Sequence, residues 1–355
     1  MKKFMKSLLI LSVAMCAFAC GKDGVDPVKP KPTPKPDEGK VTFSFTTAAL
    51  KRPASRVSGT ELTNEAPIDN VWVLQFDKND LTTGKLVVSE YFEGEAIADN
   101  AGTKSVSVAL EDAASPRIYC VVNVGKDELK SLGKNTKLST FEASTLKMVE
   151  GTAEQIPMIG YTDQNTATGT AVVELTRLIA KIKFTCEIAV PSTHKFTPTR
   201  VQLCDVANVA HYTPITAPTG DQNLYPDAST DNFFSYKEDE AIELTGKTFT
   251  KTWYLPENLR GVVAGLTATQ KGKSNAPKFA TCIEVSGDYE EPGKNVQDIT
   301  YRVYPGADAA QDFNIVRNHS YSIKMKIEGS NPNDIRVEIE KGVPAGDYTD
   351  DQTWE

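Results

Sequence analysis

The 355-residue sequence has few of the side chains from which catalytic and metal centres are built: three histidines, six cysteines and three tryptophans. The histidines, His194, His211 and His319, are not spaced as metal ligands, and no H-E-x-x-H, P-loop or G-x-S-x-G pattern occurs. Acidic clusters lie in polar stretches typical of solvated loops and lack EF-hand spacing. We therefore predict that the protein is not an enzyme and has no catalytic residues, no metal and no cofactor.

Concentrated positive charge is also lacking. The chain has 39 Lys and Arg against 47 Asp and Glu, a formal net charge of −8. Nucleic-acid binding requires a concentrated basic face, and peripheral binding to anionic lipid has the same requirement. The composition therefore argues against both kinds of partner.

Long hydrophobic runs are absent except at the start of the chain. Three lysines precede the apolar run 8–19, which is shorter than the roughly 20 residues of a membrane-spanning helix. This pattern is typical of a secretory signal, and the small residue Ala19 immediately before Cys20 resembles a bacterial lipobox. We predict a lipoprotein signal peptide over 1–19 and lipid attachment at Cys20. An ordinary secretory signal is the alternative.

Residues 20–40 contain five prolines interleaved with lysines. Such a composition favours extended polyproline geometry and cannot build a core. We predict a tether that holds the body of the protein away from a membrane surface.

Four cysteines follow the predicted lipid-attachment residue Cys20, and none forms a C-x-x-C pair. In an exported protein they could form disulfides. Cys186 and Cys204 flank a predicted hairpin, but the alternation of their neighbours places them on opposite faces. We predict free, buried thiols at Cys120, Cys186, Cys204 and Cys282, with disulfides as the alternative.

The first predicted strand follows the tether. Val41, Phe43 and Phe45 alternate with polar residues over Val41–Thr47, as in a half-buried strand. Its apolar side chains predict a place in the hydrophobic core.

Regularly spaced β-branched and aromatic segments, separated by Gly, Pro, Asn and Asp turns, fill the rest of the chain. Helix-like spacing occurs only at 126–132 and 141–149. This pattern predicts an all-β protein of two tandem antiparallel β-sandwich domains, residues 41–175 and 176–355, with minor helix in the first.

A basic segment, residues 51–56 with the sequence K-R-P-A-S-R, lies between the first two predicted strands. Exposed loops of small and polar residues are the usual sites of proteolytic nicking. Proline after Arg52 disfavours trypsin-type cleavage there, so we predict cleavage between Arg56 and Val57. An arginine in a loop without a processing role is the alternative.

Several stretches together resemble the fimbrillin family of Bacteroidetes, the subunits of type V pili. The order of the lipobox, the first strand and the arginine segment is similar to that family. Within the body, the resemblance is carried by IPMIG (156–160), LTRLIAKIKF (175–184), WYLPENLRG (253–261) and NIVRNHSYSIKMKI (314–327).

The resemblance implies transthyretin-like sandwiches and an assembly mechanism. A lipoprotein precursor would reach the outer-membrane surface, where a trypsin-like or arginine-specific protease removes the anchor together with the strand that carries Val41, Phe43 and Phe45. The vacated groove would accept a strand from another pilus subunit, of the same or a different kind. The product would be an extracellular pilus that contributes to adhesion.

The family's donor strand lies near the C-terminus, where Ile335, Val337 and Ile339 alternate suitably. Glycine, proline and acidic residues make the last fourteen residues poor strand material, which leaves a tip or accessory subunit open. The alternative for these three residues is the final strand of the second sandwich. The alternative function is a permanently anchored surface lipoprotein that binds a glycan or a host protein.

Overall fold

The computed structural model describes residues 39–47, 67–100, 102–148, 155–164, 169–214, 224–240, 242–333 and 335–340. The predicted leader, lipid attachment at Cys20, most of the tether and cleavage between Arg56 and Val57 lie outside these residues. In the part of the chain that is described, no helix is long and apolar enough to cross a membrane.

The described residues form mainly β-strands. The strands are β1 (Val41–Thr47), β2 (Asn70–Phe76), β3 (Leu86–Glu93), β4 (Ala98–Asn100), β5 (Thr103–Val108), β6 (Arg117–Val122), β7 (Thr145–Lys147), β8 (Met158–Thr162), β9 (Gly169–Arg177), β10 (Ile179–Ile188), β11 (Lys195–Cys204), β12 (Val206–Ala207), β13 (Val209–His211), β14 (Phe233–Phe234), β15 (Thr248–Pro256), β16 (Cys282–Glu290), β17 (Gln297–Val303), β18 (Ser320–Ile327) and β19 (Ile335–Glu340). The helices are α1 (Leu138–Glu142) and the short 3-10 helices Gly94–Ala96, Thr230–Asn232 and Ala268–Gln270.

The prediction of an all-β sandwich fold with minor helix is confirmed. The sheets are mixed rather than purely antiparallel, because β1 pairs in parallel with β9 and β10 pairs in parallel with β18. Period-two alternation places a strand's faces but does not give the direction of its neighbour, which depends on distant parts of the chain.

The helix prediction at 126–132 is wrong: this segment forms turns between Gly125 and Gly133. The prediction at 141–149 is shifted, because α1 ends at Glu142 and Thr145–Lys147 is strand β7, paired with β13. Both segments are too short to propagate a helix by themselves, so tertiary pairing determines their conformation.

The first large sheet has the strand order β3-β2-β6-β8-β9-β1-β5-β4. β8 and β9 share only two register pairs, Met158 with Arg177 and Ile159 with Thr176. The apolar side chains on either side of this short joint belong to one buried cluster, which we call the first core; it includes Phe43, Val73, Val106, Cys120 and Val173.

The second large group consists of a four-stranded sheet, β15-β10-β18-β19, and a three-stranded sheet, β11-β16-β17. Side chains from both sheets form a second buried cluster, the second core, with Phe184, Leu203, Val285, Tyr301 and Ile323 among its members.

The chain passes between the two cores more than once. Leu178 and Ile179 still belong to the first core, and Ala180 begins the second. Further along, Ala210 and Tyr212 return to the first core, where β13 pairs with β7.

Candidate strand-exchange site

β1 is an internal strand of the first sheet. It pairs in parallel with β9 along its whole length, from Val41 opposite Gly169 to Thr47 opposite Leu175. On its other side it pairs antiparallel with β5, from Val41 opposite Val108 to Ser44 opposite Ser105. Its backbone groups therefore have partners on both sides over the first four residues.

The apolar face of β1 is buried in the first core. Val41 and Phe43 are fully buried and Phe45 is 5% exposed. In the register of the sheet, Phe43 lies opposite Val106 and Ala171, both of which are buried. The three side chains of the predicted removable strand are thus brought together as part of one core.

The other face of β1 is polar. The hydroxyl groups of Thr42 and Ser107 lie 2.9 Å apart, within hydrogen-bonding distance, and Thr46 on the same face is exposed. The alternation predicted from the sequence is therefore present, with one face in the core and the other toward solvent.

The connection from β1 to the next strand is long. It spans residues 48–69, and β2 lies four strands away from β1 in the sheet order. The predicted scissile bond after Arg56 falls within this connection, although residues 48–66 lie outside the described part.

The predicted donor residues lie in β19, which pairs antiparallel with β18 at the end of the four-stranded sheet. Ile335, Val337 and Ile339 are half-buried and pack against the second core. The structure therefore places them in the final described strand of the chain, at the end of the strand order of this sheet.

The segments that carry the family resemblance contain buried polar side chains that connect the two cores. Arg317, after β17, donates to the Glu257 carboxylate and, at 3.2 Å, to the backbone oxygen of Tyr212. Arg177 donates to the side-chain oxygen of Asn318 at 3.2 Å. Since buried polar groups need partners, these side chains have a structural role at the junction.

The three histidines lie in three separate environments. A ring nitrogen of His194 lies 2.8 Å from the Tyr289 hydroxyl, and His319 Nδ1 donates to the Arg317 carbonyl oxygen at 2.8 Å. Burial lowers the pKa of His211, whose ring packs on Tyr225. Among the described residues, no histidine belongs to a cluster of potential metal ligands.

The four cysteines of the body are free thiols in the structure. Cys120 lies in the first core and Cys186 in the second; burial raises the pKa of both thiols, that of Cys186 to about 12. Cys204 and Cys282 occupy directly opposed positions on β11 and β16, a proximity that sequence reasoning missed because the two strands are far apart in the chain.

Sequence reasoning also missed a cleft of about 680 Å³ beside β6 and β8. There Arg117 donates to both carboxylate oxygens of Asp163, at 2.8 and 2.9 Å. The guanidinium carbon lies 4.4 Å from the ring centroid of Tyr161, a side chain that is 56% exposed. The Tyr119 hydroxyl donates to Glu142 at 2.6 Å. These residues come from β6, α1 and the end of β8, three parts of the chain that are distant in sequence, so no local motif could have grouped them.

A comparison with protein families matches residues 253–325 to a domain of unknown function (DUF4906). The matched segment runs from β15 into β18, well under half of the chain. No curated protein matches the chain.

Solved structures similar to this chain include a candidate cell adhesion protein from Bacteroides eggerthii, with 15% identity and a TM-score of 0.56 over 86% of this chain and 96% of that one. A candidate cell adhesion protein from Parabacteroides distasonis has 15% identity and a TM-score of 0.58 over 87% and 99%. The C-terminally truncated tip fimbrial protein Mfa3 from Porphyromonas gingivalis has 15% identity and a TM-score of 0.49 over 86% and 99%.

The predicted resemblance to the fimbrillin family of Bacteroidetes is confirmed at the level of the fold by the first two structures, both candidate cell adhesion proteins. The TM-score of the third is below 0.5, so it adds no argument. At this level of identity the similarity establishes the architecture, and function has to be argued from the chain itself.

Proposed function

We propose that the protein is a structural subunit of a cell-surface pilus, exported as a lipoprotein precursor with its lipid on Cys20 and assembled by protease-triggered donor-strand exchange. One observation carries the proposal: β1 is an internal strand with a fully buried apolar face, and a long connection containing Arg56 joins it to the rest of the fold. The description of two similar structures as candidate cell adhesion proteins supports a role in adhesion.

Cleavage after Arg56 would change β1 from a covalent part of the sheet into a bound peptide. While the connection is intact, β1 competes for its place at a high effective concentration. After cleavage it can dissociate and leave β5 and β9 with unpaired backbone groups beside an apolar slot, which is a template for β-augmentation.

Loss of β1 would make the empty slot a strong acceptor. Val41, Phe43 and Phe45 are almost completely buried, and each such side chain is worth about 1.5–3 kcal/mol of burial. A strand from another subunit that places three similar side chains in the slot would recover this free energy. Before cleavage, β1 fills the slot and blocks premature pairing between subunits.

β19 could act as the donor strand only if it left its own sheet. Otherwise the part of the chain that follows β19 would have to supply the donor strand. Among the strands that the structure describes, β19 pairs with β18 on one side only, and its apolar residues are half-buried. It would therefore be released more easily than an internal strand. A tip or accessory subunit, which would receive a strand without donating one, is the second form of the same proposal.

A permanently anchored lipoprotein that binds a glycan or a host protein is the second candidate function. The cleft at Arg117, Tyr161 and Asp163 favours it, because it combines an exposed ring with paired charged groups on one wall. Ligand sites commonly pair apolar or aromatic surface with a few placed polar groups.

Limited trypsin digestion of the precursor without its leader tests the leading proposal. We expect a new N-terminus at Val57, followed by oligomers that survive in detergent without boiling and disappear on boiling. The Arg56→Ala variant should remain uncut at this position and monomeric, whereas Arg52→Ala, the matched control, should behave like the parent. Cleavage at Val57 without oligomers would indicate a tip or accessory subunit. Resistance of Arg56 while other loops are cut would favour the anchored binder.

A further inference from the structure

Two cysteines and a glutamate meet on one face of the three-stranded sheet. β11 ends at Cys204 and β16 begins at Cys282, and these residues pair directly across the two strands. Glu284 lies two residues further along β16 and therefore points to the same face as Cys282. The two sulfur atoms and a carboxylate oxygen of Glu284 all lie within 4.8 Å of one another.

The surroundings shield this cluster on one side and leave it accessible on the other. Cys282 is 3% exposed and belongs to a small apolar cluster with Ala280, Tyr304 and Phe313. Cys204 and Glu284 are only half-buried. An ion could therefore reach the two sulfur atoms from the side of Cys204 and Glu284.

The cluster would hold three negatively charged ligands once both thiols have lost their protons. A bound divalent cation would offset the repulsion among them.

Arg302, next to the cluster, is bound to the Glu284 carboxylate, with its Nε donating to Oε1 at 2.5 Å. This hydrogen bond uses one carboxylate oxygen of Glu284 and leaves the other available as a metal ligand. Partners of this kind hold ligands in place at many metal sites.

We propose that Cys204, Cys282 and Glu284 form a binding site for a thiophilic divalent cation such as Zn²⁺. Zinc binds cysteine sulfur at about 2.3 Å and carboxylate oxygen at about 2.0–2.2 Å in tetrahedral geometry, so modest side-chain movement would bring the three ligands to it. Water would take the fourth position. Each thiol gives up its proton on binding, because the thiolate is the ligand.

The bound ion would cross-link β11 and β16, because its ligands lie at the end of β11 and the start of β16. It is independent of β1 and of the strand-exchange proposal, since all of its residues lie in the second half of the chain. The three ligands come from two strands that are distant in sequence and form no local motif, so the prediction of no metal site could not take them into account.

Titration of the purified, fully reduced protein with Zn²⁺ tests the proposal. We expect one equivalent of zinc to bind per chain, to release protons, to raise the melting temperature and to protect two thiols from a thiol-reactive dye. Co²⁺ in place of zinc should give a sulfur-to-cobalt charge-transfer band in the near ultraviolet, which a site made only of carboxylates would not produce.

Three variants assign the ligands. Cys204→Ser and Cys282→Ser should each lower the zinc affinity by at least about 100-fold, since even outer-shell partners of a metal are worth 10–100-fold. Glu284→Gln should lower it less than either cysteine variant does. The matched control Glu290→Gln removes an exposed carboxylate at the end of the same strand and should leave zinc affinity unchanged.

Zinc binding that is absent from the reduced protein, or that is retained in the Cys204→Ser and Cys282→Ser variants, would overturn the proposal. Absence of the cobalt charge-transfer band would do the same. Circular dichroism of each variant without metal shows whether a loss of binding arises from unfolding, because both substitutions lie at strand ends and should leave the fold intact.

Discussion

β1 and β19 lie near opposite ends of the chain and have the same sequence pattern, three apolar residues alternating with polar ones. Their settings differ. β1 pairs on both sides and buries its apolar residues almost completely. In the described part of the chain, β19 pairs with β18 alone and leaves its apolar residues half-buried. The comparison shows that alternation gives the faces of a strand but not how firmly its sheet holds it.

This difference bears on assembly. An internal strand leaves two unpaired edges and an apolar slot when it is removed, while an edge strand leaves one edge and a shallower surface. β1 is therefore suited to being a plug whose removal creates an acceptor, and β19 to being a strand that can be released.

The largest expected effect comes from truncating one core residue in each strand. Phe43→Ala should lower the free energy of unfolding by about 3–5 kcal/mol, the usual cost for a buried phenylalanine. The half-buried Ile339→Ala should cost roughly half of the 2–5 kcal/mol expected for a buried isoleucine, because less area is lost. Denaturant unfolding of both variants measures the difference. Equal costs would contradict the distinction between an internal and an edge strand.

A smaller loss of stability is expected when alanine replaces a tightly packed glycine in either core. A Cβ atom on Gly160 of β8 would lie 2.3 Å from the Glu174 backbone oxygen, and on Gly287 of β16 it would lie 2.3 Å from the Thr197 oxygen. Overpacking of this kind costs about 1–3 kcal/mol, so we expect both Gly→Ala variants to be destabilised.

The two glycine variants should differ in where they loosen the protein. Gly160 packs against β9, which is the parallel partner of β1. We therefore expect Gly160→Ala to increase the hydrogen-exchange rate of the β1 amides, and we expect no such increase for Gly287→Ala. Gly133→Ala is the control, because nothing lies within 4 Å of that Cβ position. Faster exchange in β1 for both variants would mean that the two cores are too strongly coupled for β1 to be released separately.

Loss of a hydrogen bond on the polar face of β1 should lower the free energy of unfolding by a smaller amount. Thr42→Ala removes the contact with Ser107 and should cost about 0.5–1.5 kcal/mol, the usual net value of such a bond. Thr46→Ala changes an exposed residue of the same type on the same face and should cost less. If the two costs are equal, the Thr42–Ser107 contact does not help to hold β1.

The smallest effect is expected at the surface of β19. Arg336 and Glu338 form an exposed ion pair at 3.4 Å, and such pairs contribute between 0 and about 1 kcal/mol. Arg336→Ala should therefore change the free energy of unfolding by less than about 0.5 kcal/mol at physiological salt. A loss above about 1 kcal/mol would show that β19 is held more firmly than its place at the edge indicates.

The sequence was sufficient for properties that depend on near neighbours. The alternation of Val41, Phe43 and Phe45 predicted both the strand and its buried face. It could not predict that β1 is internal, because β5 and β9 supply its partners from other parts of the chain. The pairing of Cys204 with Cys282 and the cleft at Arg117 escaped prediction for the same reason.

The two segments predicted to be helical show that a local pattern can also predict the wrong local structure. Residues 126–132 have apolar residues at helical spacing, yet they form turns, because such spacing over one or two turns also suits a compact loop. The motifs around Arg177, Glu257 and Arg317 were useful for resemblance, but only the structure shows that their polar side chains are buried between the two cores.

The most direct test of strand exchange uses a fluorescent peptide of residues 39–47. Protein cleaved at Arg56 is treated briefly with a sub-denaturing concentration of guanidinium to release the resident β1 and is then mixed with the peptide. Uncut protein treated in the same way is the control, and a peptide with Phe43→Asp tests the apolar slot.

Strand exchange predicts that the cleaved protein takes up the peptide, seen as a rise in fluorescence anisotropy, while the uncut protein does not and the Phe43→Asp peptide does not bind. Uptake by cut and uncut protein alike, or by neither, would contradict the claim that β1 is a plug whose release opens an acceptor slot.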